Sequence, residues 1–262
     1  MSATASRRPV RVLQTSDVHL GPAAREPAGR EHAEECICPI DVMVELVRDH
    51  SVDVLLIVGD LFDHARVSES LVARTFERLA DVQAEVVLLP GNHDQYDHTA
   101  VTKRQRGAID RAQVHFFDDL DGTIVDVADG ALRLWARAME EHTPSFLPLD
   151  GAPAHPGDRW YIAAAHGHYV DPGGDVHRSS RLTAAEIDAV GADYVALGHW
   201  HVTTDLAARG VSTPAWYSGA PLFGHGAGRM LLVDLVPGYG PNVTQVPVLD
   251  HAAGQCATGV GR

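Results

Sequence analysis

Val54-Leu-Leu-Ile-Val-Gly-Asp-Leu-Phe-Asp63 is the stretch that decides the fold. Its first five residues are apolar and rich in β-branched types, the pattern of a strand covered on both faces. Gly59 then lets the backbone turn sharply. Asp60 stands at the strand's carboxyl end, where open α/β sheets bind ligands. Asp63 follows three residues later, close enough to support a neighbouring group. Acidic turns after strands are common, so Gly-Asp-x-x-Asp draws its weight from what the rest of the chain brings to the same edge.

Upstream, residues 9–15 read as a first strand that delivers Ser16-Asp-Val-His-Leu-Gly21. Asp17 and His19 would share one face if strand geometry persists. A Pro-, Gly- and charge-containing loop over residues 21–31 follows. Residues 40–50 then place Ile40, Met43, Val44 and Val47 at helical spacing, completing a β-α-β unit with the Val54 strand. Downstream, Ser68 is expected to cap a helix to about Ala80, with Leu71, Val72, Thr75, Phe76 and Leu79 inward. A third strand over residues 86–90 ends in Gly91-Asn-His-Asp94.

Residues 114–117, 123–127 and 132–136 read as short strands, either antiparallel additions to the sheet or a second sheet. Residues 139–159 form a long loop rich in proline and acid. A buried strand over residues 160–165 ends in His166-Gly-His168. Thr183 and Glu186 make a capping box, and a strand over residues 193–197 ends in Gly198-His-Trp-His201. Residues 215–218, 229–235 and 243–249 are β-type, and the tail after His251 is expected to fray.

Composition sets bounds on function. The chain has 262 residues and a formal net charge of -14, and Lys103 is its only lysine. That balance disfavours a broad non-specific nucleic-acid surface. No apolar run approaches membrane-spanning length, and the amino end carries no apolar signal segment. Cys36, Cys38 and Cys256 lack the spacing of a zinc site and read as free, reduced thiols. A cytoplasmic protein without a membrane partner is the expectation.

The strand ends together supply Asp17, His19, Asp60, Asn92, His93, His166, His199 and His201. Carboxylates, imidazoles and one carboxamide are the ligand mixture of two divalent ions, with Mn²⁺ the first choice and Fe or Zn the alternatives. Cysteine is absent from the set, which argues against a structural zinc site. Two such ions about 4 Å apart activate water and neutralise charge developing on a phosphoryl group, so hydrolysis of a phosphate ester is the expected reaction.

The order Asp-x-His, Gly-Asp-x-x-Asp, Gly-Asn-His-Asp, His, Gly-His-x-His resembles that of the calcineurin-like metallophosphoesterases, from Val12 to about Val248. The resemblance implies an α/β fold, a four-layer α/β/β/α sandwich with a dimetal site at the strand ends. It implies one metal on Asp17, His19, Asp60 and His201, and a second on Asp60, Asn92, His166 and His199. His93 would protonate the leaving oxygen or stabilise the transition state, with Asp63 orienting it, and Asp94 would stand behind the ligands. His168 has no fixed counterpart and is left as substrate-facing or structural.

Residues 193–201 and Trp216-Tyr-Ser-Gly-Ala-Pro221 further resemble the SbcD-type DNA-repair exonuclease subgroup. Phosphoprotein phosphatases carry an Arg directly after the second Asp of Gly-Asp-x-x-Asp; His64 stands there instead, which sets the chain apart from them. Residues 1–262 are read as a single metallophosphoesterase domain, without the separate DNA-capping domain such nucleases add. The resulting expectation is an exonuclease-like phosphodiesterase acting on nucleic-acid ends or nucleotide-like diesters. The alternative is a small-molecule phosphomonoesterase or phosphodiesterase without DNA activity. Lys103, Arg104 and Arg106 are read either as a solvated helix face or as contacts to a single-stranded or short nucleic acid. A homodimer is left open.

Overall fold

The computed structural model describes residues 7–21, 37–155, 157–175, 177–221 and 228–248. Strands β1 (Val10–Thr15), β2 (Val54–Val58), β3 (Glu85–Leu89) and β4 (His115–Phe116) run parallel and in that order. Helices α1 (Cys38–His50), α2 (Glu69–Leu79), α3 (Val101–Arg104) and α4 (Arg106–Arg111) occupy the crossovers. The chain then enters a second sheet through β5 (Thr123–Val127), β6 (Leu132–Ala136) and β7 (Trp160–His166). A small pair, β8 (His168–Tyr169) and β9 (Arg181–Leu182), precedes α5 (Ala184–Val190). Then β10 (Tyr194–Gly198), β11 (Thr204–Asp205) and β12 (Ala215–Tyr217) complete the second sheet. Finally β13 (Arg229–Val236) and β14 (Gly240–Pro247) return to the first sheet and extend it antiparallel beside β1.

Alternation along each strand fills three separate apolar layers. In β2, Val54, Leu56 and Val58 point into the layer between the sheets, where they meet Leu134, Ile162, Ala164 and Ala196. Leu55 and Ile57 point the other way, into a layer closed by Ile40, Met43, Leu71 and Phe76 of α1 and α2. The outer face of the second sheet packs Ala163, Val195 and Leu197 against Ile187 and Val190 of α5. Helix, sheet, sheet and helix therefore stack as the expected four-layer α/β/β/α sandwich.

Local chemistry sets the element ends. Ser68 accepts the Leu71 amide at 3.1 Å and starts α2, whose buried face is Leu71, Val72, Thr75, Phe76 and Leu79. Thr183 and Glu186 form the reciprocal capping box of α5. In α1 the inward set includes Val42 and Leu46, while Val44 is only half-buried, because Pro39 starts the helix earlier than residue 40 and shifts its face. The 215–249 region matches its reading, with β14 starting earlier, at Gly240.

Two expectations need correction. Strand geometry does not persist past Thr15: Asp17 and His19 both adopt left-handed backbone, at φ 53 and 52. Cys38 is disulfide-bonded, so it is not a free thiol. Cys36 and Cys256, the loop over residues 22–31 and the tail after His251 lie outside the described residues.

Candidate metal centre

Asp17, His19, Asp60, Asn92, His166, His199 and His201 come together where β1, β2, β3, β7 and β10 end. The strand ends adjoin because β2 lies between β1 and β3, while β7 pairs with β10 across the sandwich. Left-handed turns at Asp17, His19 and Asp60 aim these side chains inward. Aspartate tolerates that conformation better than most residues.

Glycines make the room. A Cβ at Gly59 would lie 2.1 Å from Nδ1 of His166, and one at Gly91 would lie 2.1 Å from Oδ1 of Asp60. A Cβ at Gly198 would lie 1.9 Å from the Val58 carbonyl and 2.8 Å from His166. The motif glycines are thus the surfaces against which Asp60 and His166 are packed.

Two ligand groups adjoin at Asp60. In the first, Nε2 of His19 and Nε2 of His201 are 3.2 Å apart, and His201 Nε2 lies 3.8 Å from Asp17 Oδ1. His19 Nε2 stands 3.9 Å from Asp60 Oδ2. In the second, Asn92 Oδ1 is 3.0 Å from His166 Nε2 and 2.8 Å from His199 Nδ1, and His166 Nε2 is 3.4 Å from Asp60 Oδ2. His166 Nδ1 donates to the Val58 carbonyl at 2.9 Å, which turns Nε2 toward this cluster.

The donor set fits cations. Asp17 Oδ1 is buried with no hydrogen-bond partner, although Ser16 and the His199 amide both donate to Oδ2. Burial pushes the Asp60 carboxyl up, but His166 and His19 outweigh it and hold Asp60 below the ordinary carboxylate range. Burial lowers His166, yet Asp60 and Asp17 outweigh it and raise the imidazole to about 9. Burial and the His166 charge push His199 down to about 3, leaving it neutral. A buried carboxylate pair and an imidazole that retains a proton mark a place that requires positive charge.

His93 falls with His19 and Asp60 in one compact group, but its ring is exposed, unlike the buried ligands. Its Nδ1 lies 2.7 Å from the main-chain carbonyl of Asp63 and 3.9 Å from the carboxylate. Asp63 therefore orients His93 through its backbone, while its carboxylate stands 3.5 Å from His19 Nδ1. Asp94 is buried behind Asp60, accepting the amides of Gly91 at 2.7 Å, Phe62 at 3.1 Å and Asp60 at 3.3 Å. His168 sits beside the centre, its ring 5.8 Å from that of His199.

The basic cluster lies on α3 and α4 and is engaged by neighbours. Lys103 stands 4.3 Å over the Tyr96 ring. Arg104 pairs with Glu69, and Arg106 with Asp110 and Asp118. Sequence reasoning missed Ser16, whose hydroxyl joins Asp17 to Ser218, and His142, whose ring meets His199 edge-on at 5.5 Å. Ser16 adjoins the Asp-x-His motif and was within reach of it. His142 lies in a long loop with no strand end before it, and carried no signal.

Two buried ligand groups sharing one carboxylate on a four-layer sandwich define a dinuclear metallohydrolase. A sequence model of calcineurin-like phosphoesterases matches residues 10–203, and the chain belongs to that family, hydrolases of phosphoric esters. It is 27% identical over 246 residues to SbcD, the smaller-lettered half of the SbcCD nuclease of Bacillus subtilis, covering 81% of this chain and 62% of that protein. It is 35% identical over 103 residues to the DNA double-strand break repair protein Mre11 of Methanopyrus kandleri, covering 38% of this chain and 21% of that one. The chain thus spans less than two thirds of either relative. The purple acid phosphatase PPD1 of yellow lupin (Lupinus luteus) shares the fold at a TM-score of 0.59 and 14% identity, over 94% of this chain and 52% of that one. No helix among the described residues is long and apolar enough to cross a membrane.

Proposed function

We propose that this chain is a two-metal phosphodiesterase acting on nucleic-acid ends or nucleotide-like diesters. The observation that carries the reading is the buried Asp60 carboxylate, within 4 Å of histidines from both ligand groups. One ion would be held by Asp17, His19, Asp60 and His201, the other by Asp60, Asn92, His166 and His199. Bound there, the ions would activate water and neutralise charge on the scissile phosphate.

The protein's own contribution is the rest. His93, exposed beside the cluster and oriented by the Asp63 carbonyl, is placed to protonate the leaving oxygen. Asp94 fixes the turn that carries Asp60. Mn²⁺ is the ion we assign first, with Fe or Zn as alternatives. The likeness to a nuclease component and to a DNA break-repair protein supports a nucleic-acid substrate. Lys103, Arg104 and Arg106 would exchange their exposed partners for substrate phosphates, an inexpensive exchange because surface ion pairs are weak.

A second reading, hydrolysis of small-molecule esters without DNA activity, is favoured by the net charge of -14 and by the acidic partners of Arg104 and Arg106. Activity with Mn²⁺ on single-stranded DNA beside a chromogenic phosphodiester decides between them. Turnover of both supports the nucleolytic reading; turnover of the chromogenic ester alone supports the second. We further assign residues 1–262 to one domain and a cytoplasmic location, against which the Cys38 disulfide weighs. A homodimer remains part of the proposal and is read by light scattering.

A further inference from the structure

One cluster next to the candidate centre has no part in it. A cavity of about 330 Å³ opens among His142, His168, Asp175, His177, Arg178 and the metal-facing His199. Three loops build it, and hydrogen bonds tie them together. The Ser180 amide donates to the Thr143 carbonyl at 2.9 Å, joining the loop of Arg178 to that of His142. The His168 amide donates to the Ser180 carbonyl at 2.9 Å. Gly167 permits that approach, since a Cβ there would lie 2.2 Å from the same carbonyl.

The lining is chemically one-sided. Among the described residues no carboxylate pairs with Arg178, whereas Arg104, Arg106, Arg181 and Arg209 each have one. The Asp175 carboxylate accepts the His177 amide at 2.9 Å and is spent on its own turn. His168 has its tautomer set from outside: the indole Nε1–H of Trp200 donates to Nδ1 at 3.3 Å, so Nε2 carries the ring's proton and is a donor. Trp200 is itself held by stacking on Tyr217 at 4.7 Å and by the Arg209 guanidinium 4.8 Å over its face. A free guanidinium beside a fixed N–H donor is the equipment of an anion site.

We propose that this cavity is the subsite for a second phosphate group of the substrate, one linkage away from the phosphate that is cut. The inference rests on the phosphodiesterase reading and deepens it: the substrates favoured would be nucleotidic diesters carrying a further phosphate, above diesters with a single one. Trp200, lying between His199 and His201 in the chain, is a positioning residue that couples the subsite to the cluster.

The test is the ratio of kcat/KM, with Mn²⁺, for a thymidine dinucleotide bearing a terminal phosphate, on either end, to the same dinucleotide without one. The protein should prefer one phosphorylated form by about tenfold, the worth of a charge-assisted hydrogen bond. Arg178→Ala and His168→Ala should each bring the ratio toward one. His168→Gln, which retains an N–H near the position of Nε2, should restore part of it. An unchanged ratio in Arg178→Ala, or no preference in the parent protein, overturns the subsite. If no dinucleotide turns over, the hydrolase reading fails on its own, and calorimetry with thymidine 3′,5′-bisphosphate then decides the subsite. Arg178→Ala should weaken that binding about tenfold, and equal affinity in both proteins would refute the assignment.

Discussion

The main-chain amide of His93 donates to Oδ1 of Asp60 at 2.9 Å, so the proposed acid is anchored to the proposed bridging carboxylate through backbone alone. Its side chain is free of that duty. His93→Ala should therefore keep the ions bound while slowing turnover by ~10²–10⁴, the usual worth of general acid–base help. The loss should shrink for good leaving groups such as nitrophenolate. Equal losses on good and poor leaving groups, or depleted metal content, would remove the acid role.

Asp60 itself faces both ligand groups, within 4 Å of His19 and of His166. Asp60→Asn keeps the shape and removes the charge, so bound metal should fall and metal-dependent hydrolysis should disappear. Chelation of the parent protein should do the same and lower its melting temperature, since ions bound only to the native state stabilise it. A variant holding two ions at full activity would sink the bridging assignment.

Gly59 has φ +84, and a Cβ there would meet the His166 ring at 2.1 Å. Gly59→Ala combines about 1–2 kcal/mol of backbone strain with displacement of a buried imidazole. The expected variant folds with a lowered melting temperature and loses metal. Retention of full metal content would show that the ring has space to withdraw.

How much of this was legible follows from where information is local. The β2 run, the capping box at Thr183 and the inward face of α2 are short-range patterns, and each could be read directly. The ligand residues were readable because each follows a strand within a few positions. Their geometry was not: Asp17 and His19 reach their places by left-handed turns instead of strand alternation, a choice dictated by Gly59 and Asp60, whose carbonyls accept the Asp17 and His19 amides. The Cys38 disulfide was equally hidden, because a Cys-x-Cys spacing does not reveal redox state. His142 and the Trp200–His168 bond depend on loops meeting in space.

Asp94 supports the centre from behind. Its carboxylate accepts three amides and is 4% exposed. Asp94→Ala would leave three buried N–H groups without acceptors at about 1–3 kcal/mol each, a destabilisation of at least about 3 kcal/mol. Asp94→Asn keeps one acceptor oxygen and should lose less. Chemical denaturation of the metal-free proteins measures both, and a loss below about 1 kcal/mol for the alanine variant would show that water replaces the carboxylate.

The helical basic cluster gives the last expectation. Lys103 rests on Tyr96, Arg104 pairs with Glu69, and Arg106 with Asp110 and Asp118. These contacts are largely solvent-exposed, so a substrate phosphate can compete for each cation at little cost. Every phosphate contact to a single strand releases counterions and adds about 0.7 to the log–log salt slope of binding. Replacing Lys103, Arg104 and Arg106 together with Ala should therefore flatten the slope by up to about 2 and raise KM on oligonucleotides. A small chromogenic diester, too short to reach α3 and α4, should respond far less. If the slope is unchanged, the cluster is a solvated face held by its own acidic neighbours, and the small-molecule reading gains the ground it loses.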